Sequence, residues 1–79
     1  SVGRKADTAL RIFNIFCERP ILNVVEVCKR TGLSFPSAGK GINTLLQLGI
    51  THEITGKKRN RIYVYKEYLN ILNEGTEHL

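Results

Sequence analysis

Apolar positions recur along the first half of the chain with the period of a helix and along part of the second half with the period of a strand. Leu10, Ile12, Phe13, Ile15, Phe16 and Cys17 form one broad helical stripe. That pattern predicts a helix starting near Asp7 or Thr8, with residues 1–5 as a short arm and Pro20 as its stop. Leu10, Phe13 and Phe16 are three bulky groups at helical spacing, so they are expected to fill much of the core. Asn23 suits the N-cap of a short second helix over 24–30. Glu26 stands three residues later in a capping-box-like pair, with Val24, Val27 and Cys28 turned inward. Thr31-Gly32-Leu33 then breaks the pattern: Gly32 permits a positive-φ turn, Leu33 anchors it and Ser34 caps the next helix. A third helix is expected from about 35 to 48, with Pro36 in its first turn, Ala38, Ile42, Leu45, Leu46 and Leu48 on the core side, and Gly49 closing it.

Beyond Gly49 the period changes. Ile50 to Thr55 alternates, and Ile62-Tyr63-Val64-Tyr65 is β-branched and aromatic, so two strands are expected, joined through 56–60 where Gly56 and Asn60 permit the turn. Tyr65, Tyr68, Leu69, Ile71 and Leu72 predict a last helix over about 66–74, packed on the core or on another chain. Gly75 is expected to end it, with 75–79 fraying. The sequence therefore predicts an α+β, mostly helical domain spanning 1–79. Its class is a winged helix-turn-helix: a three-helix core, a two-stranded β-hairpin wing and a short C-terminal helix. The helix-turn-helix occupies about 24–48 and the wing about 50–65.

Composition narrows the classes. Seventy-nine residues are too few for two independent cores, and 42% hydrophobic residues are enough for one. No apolar stretch approaches the roughly 18 residues of a membrane span, and the start Ser1-Val2-Gly3-Arg4 has no basic-then-apolar leader, so a bacterial-type cytoplasmic setting is expected. Cys17 and Cys28 lack a CxxC spacing and are expected as buried free thiols. His52 and His78 lie outside any zinc-ligand spacing, so no metal or other cofactor is predicted. No GxSxG, Walker-type loop or HExxH is present, and the chain is not expected to be an enzyme by itself.

Charge points to a partner. The formal net charge is +5, and seven of the twelve cations fall in Lys29-Arg30, Lys40 and the run Lys57-Lys58-Arg59-Asn60-Arg61, while no acid lies between Lys29 and Gln47. The outer face of the third helix is expected to present Ser37, Gly39, Lys40, Asn43, Thr44 and Gln47, a set of small, polar and cationic groups able to enter a major groove. Asn43 and Gln47 can each pair with adenine, Lys40 can reach guanine or a phosphate, and Ser37 and Thr44 are short donors. Lys57, Lys58, Arg59 and Arg61 can track phosphates, or form a solvated charged loop that protects a sheet edge. Gly39 and Gly41 each cost roughly 1 kcal/mol against Ala in a helix. Close helix packing or plain tolerance is one account of them, and close approach of the backbone to phosphate or base edges is the other. The leading expectation is duplex DNA as partner. The alternative is a protein-interaction, dimerisation or regulatory module; RNA ranks last, because the aromatics occupy apolar positions rather than a stacking platform.

The stretch Thr55-Gly56-Lys57-Lys58-Arg59-Asn60-Arg61-Ile62-Tyr63-Val64-Tyr65, continued by Tyr68-Leu69-Asn70-Ile71-Leu72 and preceded by Gly32-Leu33-Ser34-Phe35-Pro36-Ser37-Ala38, resembles the C-terminal winged-helix domain of Fic/DOC family proteins over essentially the whole chain. The resemblance implies a transcription-regulator-like module of a longer protein whose catalytic Fic domain transfers AMP or a related group to a protein hydroxyl. The family's HPFxxGNGR motif does not occur here, so no catalytic residue carries over. It also implies a further partner, the Fic domain of the same polypeptide, against the first or last helix; a second copy of the chain is expected under the dimerisation alternative.

Overall fold

The computed structural model describes the backbone of residues 2–76 and the side chains of residues 6–72. In chain order the elements are α1 (Val2–Glu18), β1 (Ile21–Asn23), α2 (Val24–Thr31), α3 (Phe35–Gln47), β2 (Thr51–Glu53), β3 (Ile62–Tyr65) and α4 (Lys66–Thr76). The protein is α+β and mostly helical. Its strands form one antiparallel sheet in the order β1-β3-β2.

The first helix is longer than its sequence signals suggest. It begins at Val2, so most of the expected arm is helical and Asp7 is an exposed residue inside the helix, not near its start. Once nucleated, a helix gains one hydrogen bond per added residue, and Arg4, Lys5 and Ala6 are good helix formers. The buried stripe is also rotated from the expected one. Ala9, Ile12 and Phe16 face the core, whereas Leu10 is 56% exposed and Cys17, two turns on, is exposed with it. Phe13 is half-buried and meets Tyr65 edge to face, with ring centroids 5.6 Å apart at 89°. Both cysteines are free, as the spacing suggested, but Cys17 is not a buried thiol and Cys28 is half-buried.

α2 and α3 are set by their caps. The Asn23 side chain accepts from the Glu26 N–H at 2.8 Å. The Glu26 carboxylate pairs with Arg30 one turn on, at 3.6 Å. Gly32 takes φ +77° and donates its N–H to the Cys28 carbonyl at 2.8 Å, while the Thr31 hydroxyl donates to Val27 and accepts from the Leu33 N–H. An Arg11 guanidinium N–H reaches from α1 to the Thr31 carbonyl at 2.6 Å, placing positive charge at the C-terminal end of α2. Ser34 then caps α3, accepting from the Ser37 N–H at 3.3 Å, and Pro36 sits in the first turn.

The inner face of α3 buries Ala38, Gly41, Ile42 and Leu45 against Ile12, Phe16, Leu22, Val27 and Tyr63. Leu48 does not join them: it is the C-cap of α3 and 67% exposed. A Cβ added at Gly41 would overlap Ile12 Cδ1 and come within 3.2 Å of Thr8 Cγ2, so this glycine lets α1 and α3 approach closely.

β2 and β3 form the expected hairpin, extended by the Ile54 N–H donating to the Ile62 carbonyl at 2.9 Å. β2 spans only three residues, and its side-chain phase runs against hydropathy: Thr51 is buried with its hydroxyl unpartnered among the described residues, while Ile54 is exposed. Gly56 at φ +66° and Asn60 at φ +54° supply the left-handed turns of the loop. β1 has no counterpart in the sequence reading. It pairs Leu22 with Tyr63 on the edge of β3 opposite β2. α4 continues through Gly75 to Thr76 instead of ending at 74; the fraying expected at 75–79 falls in part on residues 77–79, which lie outside the described residues. No helix among them is long and apolar enough to cross a membrane.

Candidate nucleic-acid interface

Two surfaces carry the chemistry the sequence singles out. The first is the outer face of α3. Ser37, Lys40, Asn43 and Gln47 are exposed there, and Gly39 and Thr44 are half-exposed along its borders. Because the inner face is fixed by burial against α1 and α2, these side chains are held on a rigid carrier. Their hydrogen-bonding capacity differs. The Thr44 hydroxyl donates to the Lys40 carbonyl at 3.1 Å, which uses its proton within the helix and leaves it an acceptor. Ser34 donates to the Ser37 hydroxyl at 3.0 Å, so Ser34 is occupied as the cap while the Ser37 proton can point outward. Lys40, Asn43, Gln47 and Ser37 thus retain donors for an external partner, and no carboxylate interrupts the run from Lys29 to Gln47.

The second surface is the β2–β3 loop. Lys57, Lys58, Arg59, Asn60 and Arg61 are all exposed. Arg61 is turned back on the loop, its Nε donating to the Lys57 carbonyl, and so helps close it. Lys57, Lys58 and Arg59 make no ion pair among the described residues, where the one pair is Arg30 with Glu26. Of the adjacent pair Lys29-Arg30, Lys29 is therefore the better placed to meet an external anion.

Sequence reasoning missed three features. Glu53 organises the loop: its carboxylate accepts from the Thr55 N–H and the Gly56 N–H, each at 2.6 Å, and from the Thr55 hydroxyl. These bonds, the Thr55 hydroxyl foremost, hold the Glu53 carboxyl below its ordinary value, with the Arg61 charge adding to the effect and partial burial opposing it. The Glu-x-Thr-Gly order was the available signal, because a carboxylate two residues before a turn can cap its amides. Phe35 is the second: it is 62% exposed at the start of α3, where the sequence offered only a helix boundary. Third is an apolar groove of about 420 Å³ between α1 and the end of α3, lined by Leu10, Phe13, Leu45, Leu48 and Ile50. It exists because Leu10 and Leu48 flank the core without entering it.

Among the described residues no cluster of His, Cys, Asp or Glu could hold a metal ion. Compared with protein-family models and with curated proteins, the chain gives no match.

Proposed function

We propose that the chain is a duplex-DNA-binding winged helix-turn-helix domain, in which α2 and α3 are the two-helix unit, α3 enters the major groove and the β2–β3 loop is a wing on the backbone. The observation that carries this reading is the acid-free outer face of α3, with Lys40, Asn43 and Gln47 exposed on a helix whose opposite face is locked into the core. Amide side chains can pair with adenine and the ammonium with guanine or phosphate. Lys57, Lys58 and Arg59 supply affinity through phosphate contacts that carry no sequence information, and Arg61 does so while bracing the loop.

The particular setting we propose is the C-terminal module of a bacterial, cytoplasmic Fic/DOC protein, on the likeness of the Thr55-to-Leu72 stretch to that family. The chain is then not an enzyme itself, and AMP transfer belongs to another part of the parent polypeptide. A docking role, onto the Fic domain or a second copy, is the second reading, and the groove between Leu10 and Leu48 favours it.

Fluorescence anisotropy with random duplex at several salt concentrations tests the DNA reading. Lys58→Ala and Arg59→Ala should each weaken binding to all sequences alike and flatten the log–log salt slope by about 1. An unchanged slope removes the wing from the interface. Absence of duplex binding at low salt overturns the DNA reading and leaves docking.

A further inference from the structure

Phe35 is the one aromatic side chain that the fold leaves largely in solvent among the described residues; Phe16 and Tyr63 are buried, and Phe13, Tyr65 and Tyr68 are half-buried. Its position is rigid. Ser34 is pinned on one side as the cap and Pro36 fixes the backbone on the other. A large apolar ring held in water on a rigid support invites a partner that can cover it.

Residues four apart share a helix face, so Phe35, Gly39 and Asn43 form one row along α3. Gly39 differs from Gly41 in a decisive way. A Cβ built at Gly39 meets nothing within 4 Å, and its φ is not positive, so neither packing nor backbone conformation requires a glycine there. The missing side chain leaves open space over the backbone at Gly39, one turn from Phe35 on the N-terminal side and one turn from Asn43 on the C-terminal side. Such a notch suits a small apolar group presented beside a hydrogen-bonding one. The surroundings select a polyanion, since Lys40 adjoins the row and no acid lies between Lys29 and Gln47.

In a major groove the apolar group of that size is the C5-methyl of thymine, and the neighbouring partner for an asparagine is adenine through N6 and N7. The first residues of a groove-inserted helix are also those that reach base edges. We propose that the Phe35–Gly39 notch receives the C5-methyl of a thymine next to an adenine held by Asn43, which makes Phe35 and Gly39 specificity-determining residues. This inference rests on the duplex-DNA reading and adds a base identity to it.

The test begins by selecting bound duplexes from a random pool with the full chain. Each thymine in the selected site is then replaced singly by deoxyuridine, which removes the methyl and nothing else. One position should lose about fourfold in affinity, the worth of one buried methyl group at about 0.8 kcal/mol. Phe35→Ala should abolish that thymine-over-uracil difference, and Gly39→Leu, which fills the notch, should reverse it. Both positions face open space, so circular dichroism and thermal melting of the variants should show the fold retained. Binding with no thymine–uracil difference at any position, or a difference that persists in Phe35→Ala, overturns the inference alone. Failure to bind any duplex at low salt overturns the DNA reading and the inference with it.

Discussion

Gly39 and Gly41 stand one residue apart on α3 and face opposite environments. Gly41 is buried against Ile12 and Thr8 of α1, whereas the space over Gly39 is open. Alanine at either position gains up to about 1 kcal/mol of helix propensity. At Gly41 the added methyl must displace Ile12, which is fully buried, and overpacking of that kind costs about 1–3 kcal/mol. Gly41→Ala should therefore lower stability by about 1 kcal/mol net, and Gly39→Ala should raise it by up to about 1 kcal/mol. Urea denaturation of the two variants checks this, and equal shifts of the same sign would refute the assignment. Composition alone presents the two glycines as one puzzle with two answers. Close packing answers for Gly41, as only the position of α1 shows, and does not answer for Gly39.

Among the elements, α2, α3 and the hairpin are legible because their signals are local: Asn23 and Ser34 caps, the Gly32 turn, and β-prone runs flanking Gly56 and Asn60. β1 is not. Ile21-Leu22-Asn23 is too short for a periodic signal and becomes a strand only by pairing with β3, about forty residues away, so tertiary context decides it. The phase of α1 departs from the expected one for a related reason. Seven apolar or small residues over the nine positions from Ala9 to Cys17 define a helix well, but which edge of a broad stripe is buried depends on where α3 lies, and Ala9 with Ile12 won over Leu10. The outer face of α3 was readable as the complement of its core face; Leu48 escaped because the helix ends there. The β2–β3 loop is held by a contact whose only trace in the sequence is the Glu-x-Thr-Gly order. Glu53 ties the start of the loop to Thr55 and Gly56, and its carboxyl titrates below the ordinary 4.5. A depressed carboxylate stabilises the folded loop fully above the unfolded value, and that stabilisation is lost as pH falls through the lower folded value. The Thr55 and Gly56 amide resonances should hence shift together with an acid midpoint below 4.5, and Glu53→Gln should remove that midpoint while weakening the loop at neutral pH. Amide shifts that ignore acid, or that survive in Glu53→Gln, would show that the carboxylate does not hold the β2–β3 loop.

At the scale of the whole molecule, a small core supports two chemically distinct surfaces. One kind is polar and cationic, on the outer side of α3 and on the β2–β3 loop; the other is the apolar groove where Leu10 and Leu48 project beside Phe13, Leu45 and Ile50. A core this small has little to spare, yet neither Leu10 nor Leu48 belongs to it. Replacing both by glutamine should accordingly change the unfolding free energy of the isolated chain by no more than about 0.5 kcal/mol per site. The substitutions add no charge and leave Lys40, Asn43, Gln47 and the cations of the β2–β3 loop untouched. On the proposed reading, duplex affinity and its salt slope should therefore be unchanged in Leu10→Gln, Leu48→Gln. Sedimentation of the wild-type chain and of this variant measures the other surface independently: an association lost in the variant with DNA binding intact assigns docking to the groove and nucleic acid to α3. If duplex binding fell with the leucines while the monomer stayed folded, the two surfaces would be one, and the α3 face could not act alone.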